Sequence, residues 1–144
     1  MKTLSILSVL AVTIAAPALA QEQALNPTYL VHKLTADGLE LRSLEAERGI
    51  YEARVVATDG TIVKVGIDPQ TAELTDAFSH AKARPADGAT PAVNASQAIM
   101  AAASTGYWDV RQVEYKRGQW RVDARDDQGR SRTVTVDAGS GMVD

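Results

Sequence analysis

The 144-residue sequence has no cysteine, two histidines, one Phe, two Trp and four Tyr. Without cysteine there can be no disulfide framework, zinc–thiolate site or thiol nucleophile. A lipoprotein anchor is excluded as well, because lipidation needs a cysteine at the cleavage point, where Gln21 stands. Charge of one sign is also scarce. Fifteen Lys+Arg against eighteen Asp+Glu leave a net charge of −3, which argues against a polyanion binder driven by global charge. One long hydrophobic run exists and it lies at the start, so a multi-span membrane transporter is excluded too.

That first run accounts for part of the 45% hydrophobic content. Met1-Lys2 supplies a positive start, residues 4–16 are apolar apart from Ser and Thr, and Ala18-Leu19-Ala20 is a small-x-small pattern. The expectation is a secretory signal peptide over residues 1–20, cleaved after Ala20. A spanning helix would need about 20 apolar residues and a stop-transfer flank. Residues 21–144 then keep 14 basic residues (15 less Lys2) and 18 acidic ones, a net charge of −4. Export without cysteine points to a bacterial periplasm or exterior, since small secreted eukaryotic domains usually carry disulfides.

The remaining chain repeats itself. At an offset of 69, Arg42 pairs with Arg111, Leu44 with Val113, Gly49 with Gly118, Tyr51 with Trp120, Gly60 with Gly129, Ile67 with Val136 and Asp68 with Asp137. Upstream, Asn26 pairs with Asn94 and Gly38 with Gly106 at an offset of 68. The pattern predicts a tandem duplication with one extra residue where the second helix hands over to its first strand.

Each copy opens with a predicted helix. Asn26 is an N-cap, Pro27 suits the first helical position, Leu25 and Leu30 have the spacing of a hydrophobic staple, and Leu30, Val31 and Leu34 form the apolar stripe before Gly38. In the second copy Asn94 and Gln97 have capping-box spacing, the expected stripe is Ile99, Met100 and Ala103, and Gly106 ends the helix. Strands follow. Leu39, Leu41 and Leu44, like Trp108, Val110 and Val113, alternate and then slip phase, which predicts a bulge at Arg42-Ser43 and Arg111-Gln112. Turns are expected at Glu47-Arg48-Gly49, Lys116-Arg117-Gly118, Asp59-Gly60 and Gln128-Gly129, and the pattern allows a last short strand near Glu73-Leu74 and Met142-Val143.

The predicted fold class is α+β: two repeated units, residues 21–76 and 94–144, each a helix packed on a three- to four-stranded antiparallel meander. Residues 77–93, with Pro85, Gly88, Pro91 and six Ala, read as a linker. A unit of about 50 residues buries little core alone, so the two should share an interface or pair between chains.

The residues also carry a resemblance. The aromatic-alternating strands around Tyr51 and Trp120, and the third strands running into Val65-Gly66-Ile67-Asp68-Pro69-Gln70-Thr71-Ala72-Glu73-Leu74 and Val134-Thr135-Val136-Asp137-Ala138-Gly139-Ser140-Gly141-Met142-Val143, resemble the PepSY domain. The first copy departs at Ala72, where the family favours Gly. The resemblance implies a non-enzymatic module that inhibits or regulates proteases, here acting in trans. Independently of it, Asp68 and Asp137 end strands and suit Asx-type turns, fold punctuation rather than chemistry.

Catalytic candidates are few. His32 lies beside an apolar stripe and His80 in the linker, neither has a counterpart in the other copy, and no nucleophile elbow, His pair or phosphate loop is present. Asp123, Asp126 and Asp127 fail as a calcium loop because Arg125 takes the middle position. The sequence therefore assigns no catalytic, cofactor or metal residues. Charge offers one surface: residues 21–76 carry a net −5 and residues 94–144 a net of zero. Arg121, Arg125, Arg130 and Arg132, with Tyr107 and Trp108 near the edge, form a candidate partner-binding face for an acidic protein segment rather than nucleic acid. The reading is an exported module that binds another envelope or secreted protein, such as a peptidase, with no membrane anchor once the signal peptide is removed. The alternative is a periplasmic small-molecule or metal-ion binder with its site between the two copies.

Overall fold

The computed structural model describes residues 24–76, 78, 82–86 and 90–144. The expected signal peptide, His80 and parts of the expected linker lie outside the described residues. The protein is α+β, with two helices and an eight-stranded antiparallel sheet among the described residues.

Helix α1 spans Pro27–Ala36. The Asn26 side chain accepts the Thr28 amide at 2.8 Å, and Leu30, Val31 and Leu34 face the core. Three strands follow, β1 (Glu40–Glu47), β2 (Ile50–Val56) and β3 (Thr61–Ile67), each antiparallel to its predecessor. The β1–β2 turn places Arg48 and Gly49 at φ of 48° and 84°, the paired left-handed geometry of a type I′ hairpin. Two short strands flank β3 on its outer side: β4 (Leu74–Thr75) pairs with Gly66 and Ile67, and β5 (Arg84–Pro85) pairs with Thr61 and Ile62. The second strand of this pair draws residues from the 77–93 stretch into the sheet.

Helix α2 (Ala95–Ser104) has a complete capping box between Asn94 and Gln97, both bonds at 2.9 Å. It leads into β6 (Asp109–Lys116), β7 (Gln119–Arg125) and β8 (Ser131–Asp137). Corresponding features recur in the second set of strands. The register slips between Leu41 and Ser43 on β1 and between Val110 and Gln112 on β6, leaving Arg42 and Arg111 as the bulged residues. Arg117 and Gly118 repeat the positive φ values of Arg48 and Gly49.

The strand order is β4-β3-β2-β1-β6-β7-β8, with β5 on β3. The halves meet where β1 pairs with β6, Ser43 opposite Glu114 and Leu44 opposite Val113, so one sheet and one core run through the chain. Helix α1 lies over β1 and β6, and α2 over β6, β7, β8 and β1, so neither helix serves its own meander alone. Burial of both apolar stripes against the middle of the sheet removes the most apolar surface from water.

The stripe of α2 differs from expectation. Its buried residues are Ala95, Ala98, Ile99 and Ala102, whereas Met100 is 54% exposed and Ala103 faces solvent. Two helices cross the same central strands and touch each other, and small residues on α2 allow the close approach.

Candidate functional site

Alternation along the strands divides the side chains between two faces. Tyr51, Ala53 and Val55 on β2 and Trp120, Val122 and Ala124 on β7 face the helices and are buried. Between them, Glu52, Arg54, Arg121, Asp123 and Arg125 fall on the open face.

The six residues expected to form a partner-binding face are spread over four places. Arg121 and Arg125 lie on the open face, paired in register with Glu114 and Thr135, and with Asp109 and Ser131. Arg132 sits opposite Ala124 and so projects to the helix side, where its guanidinium lies 5.8 Å above the Tyr107 ring. Trp108 is exposed beside the start of α1, its carbonyl accepting the Thr28 hydroxyl at 3.3 Å. Arg130 belongs to the β7–β8 turn, where its Nε donates to Asp126 at 2.7 Å. The parity of β8 is responsible: pairing of Trp120 with Val136 and Val122 with Val134 forces the even-numbered residues of that strand, Arg132 included, to the core side.

Asp126 organises the turn that holds Arg130. It accepts the amides of Gln128 and Arg130 at 3.0 and 2.8 Å. Burial alone would raise its pKa, but the Arg130 and Gln128 hydrogen bonds outweigh that and hold the carboxyl below its usual range. Asp68 and Asp137 build the corresponding turns after β3 and β8. Asp68 accepts from the Gln70 and Thr71 amides at 2.7 and 3.0 Å, and Asp137 from Gly139 and Ser140 at 3.0 and 2.7 Å. These backbone bonds lower both pKa values. Ala72, at φ 62°, takes the left-handed position that Gly141 occupies at 77° in the second turn.

His32 is half-buried between the helices, its Nδ1 2.6 Å from the Ser96 hydroxyl. No three of His, Asp and Glu come together as a metal site among the described residues.

A feature the sequence did not single out is the free side of β8. Thr135 carbonyl accepts the Asp144 amide at 3.0 Å, the Asp137 amide donates to Met142 at 2.8 Å, and Val143 bridges to Val136. These contacts cover only the end of the strand. Because hydrogen-bonding direction alternates along an antiparallel strand, Ser131 and Thr133 direct their amides and carbonyls to that same outer side. Among the described residues no strand pairs with β8 there. Tyr107 and Arg132 flank this free edge on the helix side, and Arg121 and Arg125 on the other. Only the strand order reveals which strand is left at the end of the sheet.

A family model described as "Peptidase propeptide and YPEB domain" matches residues 4–78. No curated protein matches the chain. Among solved structures, it is similar to a protein from Clostridium difficile 630 that carries the name lipoprotein, at 15% identity and a TM-score of 0.44, covering 87% of this chain and 94% of that one. No described helix is long and apolar enough to cross a membrane.

Proposed function

The chain belongs to the peptidase propeptide and YPEB domain family, the PepSY domains, and on that premise we propose that it is an exported, non-catalytic module that binds and modulates another envelope or secreted protein, a peptidase first among them. Two PepSY-like units, residues 21–76 and 94–144, are joined by residues 77–93. The shared offset, the paired bulges at Arg42 and Arg111 and the paired Asp turns support that division. Export rests on the leader pattern of residues 1–20, with cleavage after Ala20 and delivery to the periplasm or beyond.

The observation that carries the binding role is the unpaired outer edge of β8 at Ser131 and Thr133. An extended segment of a partner can add there as a further strand, its main chain supplying affinity and its alternate side chains meeting Tyr107 and Arg132 or Arg121 and Arg125. The guanidinium groups of that set favour an acidic segment.

The test measures inhibition of co-secreted peptidases by the purified protein, together with capture of partners from envelope extract. Thr133→Pro removes the outward amide at an edge position where proline is tolerated, so the variant should fold and lose binding. A panel with neither inhibition nor a captured partner, or a Thr133→Pro protein that binds like the parent, refutes the proposal.

A further inference from the structure

The open face of the sheet is concave where β1, β2 and β3 approach the β6–β7 turn, and it borders a half-open cavity of about 890 Å³. Its lining is cationic. Arg42, Arg54 and Lys64 come from the three strands. Lys82 and Arg84 enter with the segment that pairs on β3, and Lys116 and Arg117 come from the β6–β7 turn. Seven of the chain's fifteen Lys and Arg therefore surround one space in a protein of net charge −3. Both basic residues of the 77–93 stretch are among them.

Neighbouring carboxylates neutralise only part of this charge. Glu40 pairs with Arg42 at 2.9 Å, and Glu52 with Arg54 at 3.2 Å and Lys64 at 3.1 Å. Among the described residues, Glu114 is the one acidic residue in the lining. Seven cations against these three acids leave an excess of four. Lys82, Arg84, Lys116 and Arg117 form no ion pair among the described residues.

Arg42 is an independent sign of a ligand. The residue is 5% exposed, its guanidinium lies 4.9 Å above the Tyr115 ring, and its Nε is buried without a hydrogen-bond partner. An orphaned buried donor costs free energy unless a ligand or water completes it. Clustered like charges repel one another, and a bound counter-ion relieves that repulsion.

We propose that this cavity binds a compact anion carrying phosphate groups, as a soluble phosphate ester or diphosphate or as a lipid phosphate headgroup. A metal ion has the wrong sign, and with only Ile62 and Tyr115 offering large apolar surface, an uncharged apolar ligand would leave the cations unpaired. Arginine forks match phosphate oxygens in pairs, and lysine adds point charge. Size separates phosphate from an acidic peptide. The space is roughly 10 Å across by its volume, whereas same-face carboxylates of an extended peptide recur about every 6.6 Å, so only two would fit against an excess of four cations. A diphosphate concentrates that charge in one place. The site lies between the two halves of the chain and away from the free edge of β8.

The experiment titrates the purified protein with pyrophosphate and with inorganic phosphate at low salt by calorimetry. In parallel it measures sedimentation with phosphatidylcholine vesicles prepared with and without phosphatidic acid. Arg84→Ala with Arg117→Ala changes two exposed side chains and should leave the melting temperature near that of the parent. Saturable binding to pyrophosphate or to the phosphatidic acid vesicles, weakened by at least about tenfold in this variant and unchanged in Lys33→Ala on α1, supports the site. The responding probe then tells a soluble ligand from a lipid. The proposal is overturned if neither probe binds, if the double variant binds like the parent, or if hexa-aspartate binds more tightly than pyrophosphate.

Discussion

Trp120 ties its strand to the entrance of a helix: its indole N–H donates to the Val93 carbonyl at 2.7 Å, one residue before the N-cap of α2. Tyr51 makes the same tether in the first half, its hydroxyl donating to the Leu25 carbonyl at 3.1 Å, one residue before Asn26. Each bond fixes the angle at which a helix enters the core. Tyr51→Phe removes only the hydroxyl and should cost about 1 kcal/mol. Trp120→Phe also leaves a void at a side chain with no exposed surface, and should cost about 2–3 kcal/mol. Urea denaturation of both variants checks the order, which should not invert.

The capping box of α2 predicts a further difference. Asn94 accepts the Gln97 amide while Gln97 returns a bond to the Asn94 amide, so Asn94→Ala should destabilise the protein by about 1 kcal/mol. Asn26 accepts one amide, without the reciprocal partner, and Asn26→Ala should cost less. Thermal melts of the two variants at equal concentration test the ranking.

Ala102 on α2 is fully buried at the position where Leu34 stands on α1. Ala102→Leu would restore the apparent symmetry of the two helices. It should nevertheless destabilise by about 1–3 kcal/mol, because α2 already touches α1, β1, β6, β7 and β8. A melting temperature equal to or above the parent's would show that the space is larger than the packing implies.

Acid should unfold the protein through its turn aspartates. In Asp68, Asp137 and Asp59, hydrogen bonds from the following residues lower the folded pKa, and at Asp126 they do so against burial. Since the folded values lie below the usual carboxylate value near 4, this stabilisation is fully present above that value. It disappears as pH falls through the folded values. Asn keeps the acceptor oxygen and loses the titration, so Asp68→Asn with Asp137→Asn should flatten the dependence of the urea midpoint between about pH 5 and 2 while changing it little at neutrality. At the alkaline end the sign reverses: burial raises the Tyr51 pKa, with Arg111 opposing, so its contribution persists below about pH 10 and falls above it.

Much of the local structure was legible because its causes are local. The caps at Asn26 and Asn94, the bulges at Arg42 and Arg111, the left-handed turns at Arg48-Gly49 and Arg117-Gly118 and the aspartate turns after β3 and β8 all follow from side-chain chemistry within a few residues. The buried face of α2 was present in the alignment as well, since the offset of 68 places Ala98, Ile99 and Ala102 on Leu30, Val31 and Leu34. Hydrophobicity alone favoured Met100, because alanine is a weak marker of burial. The sides on which the arginines fall were not legible for a different reason: without the β7–β8 register, nothing distinguishes the side of Arg132 from that of Arg121.

By itself the sequence determined the elements, their turns and their recurrence at a nearly constant offset, because these depend on period, capping and backbone conformation within short windows. The tertiary structure alone decided that β1 pairs with β6, and three consequences follow from that one contact. Both helices cover the middle of a single sheet, β8 is left among the described residues with an edge unpaired at Ser131 and Thr133, and Arg42, Arg54 and Lys64 come to face Lys116 and Arg117 across one cavity. Pairing between strands some seventy residues apart is fixed by burial of a shared core, a sum over the whole chain that no local pattern contains.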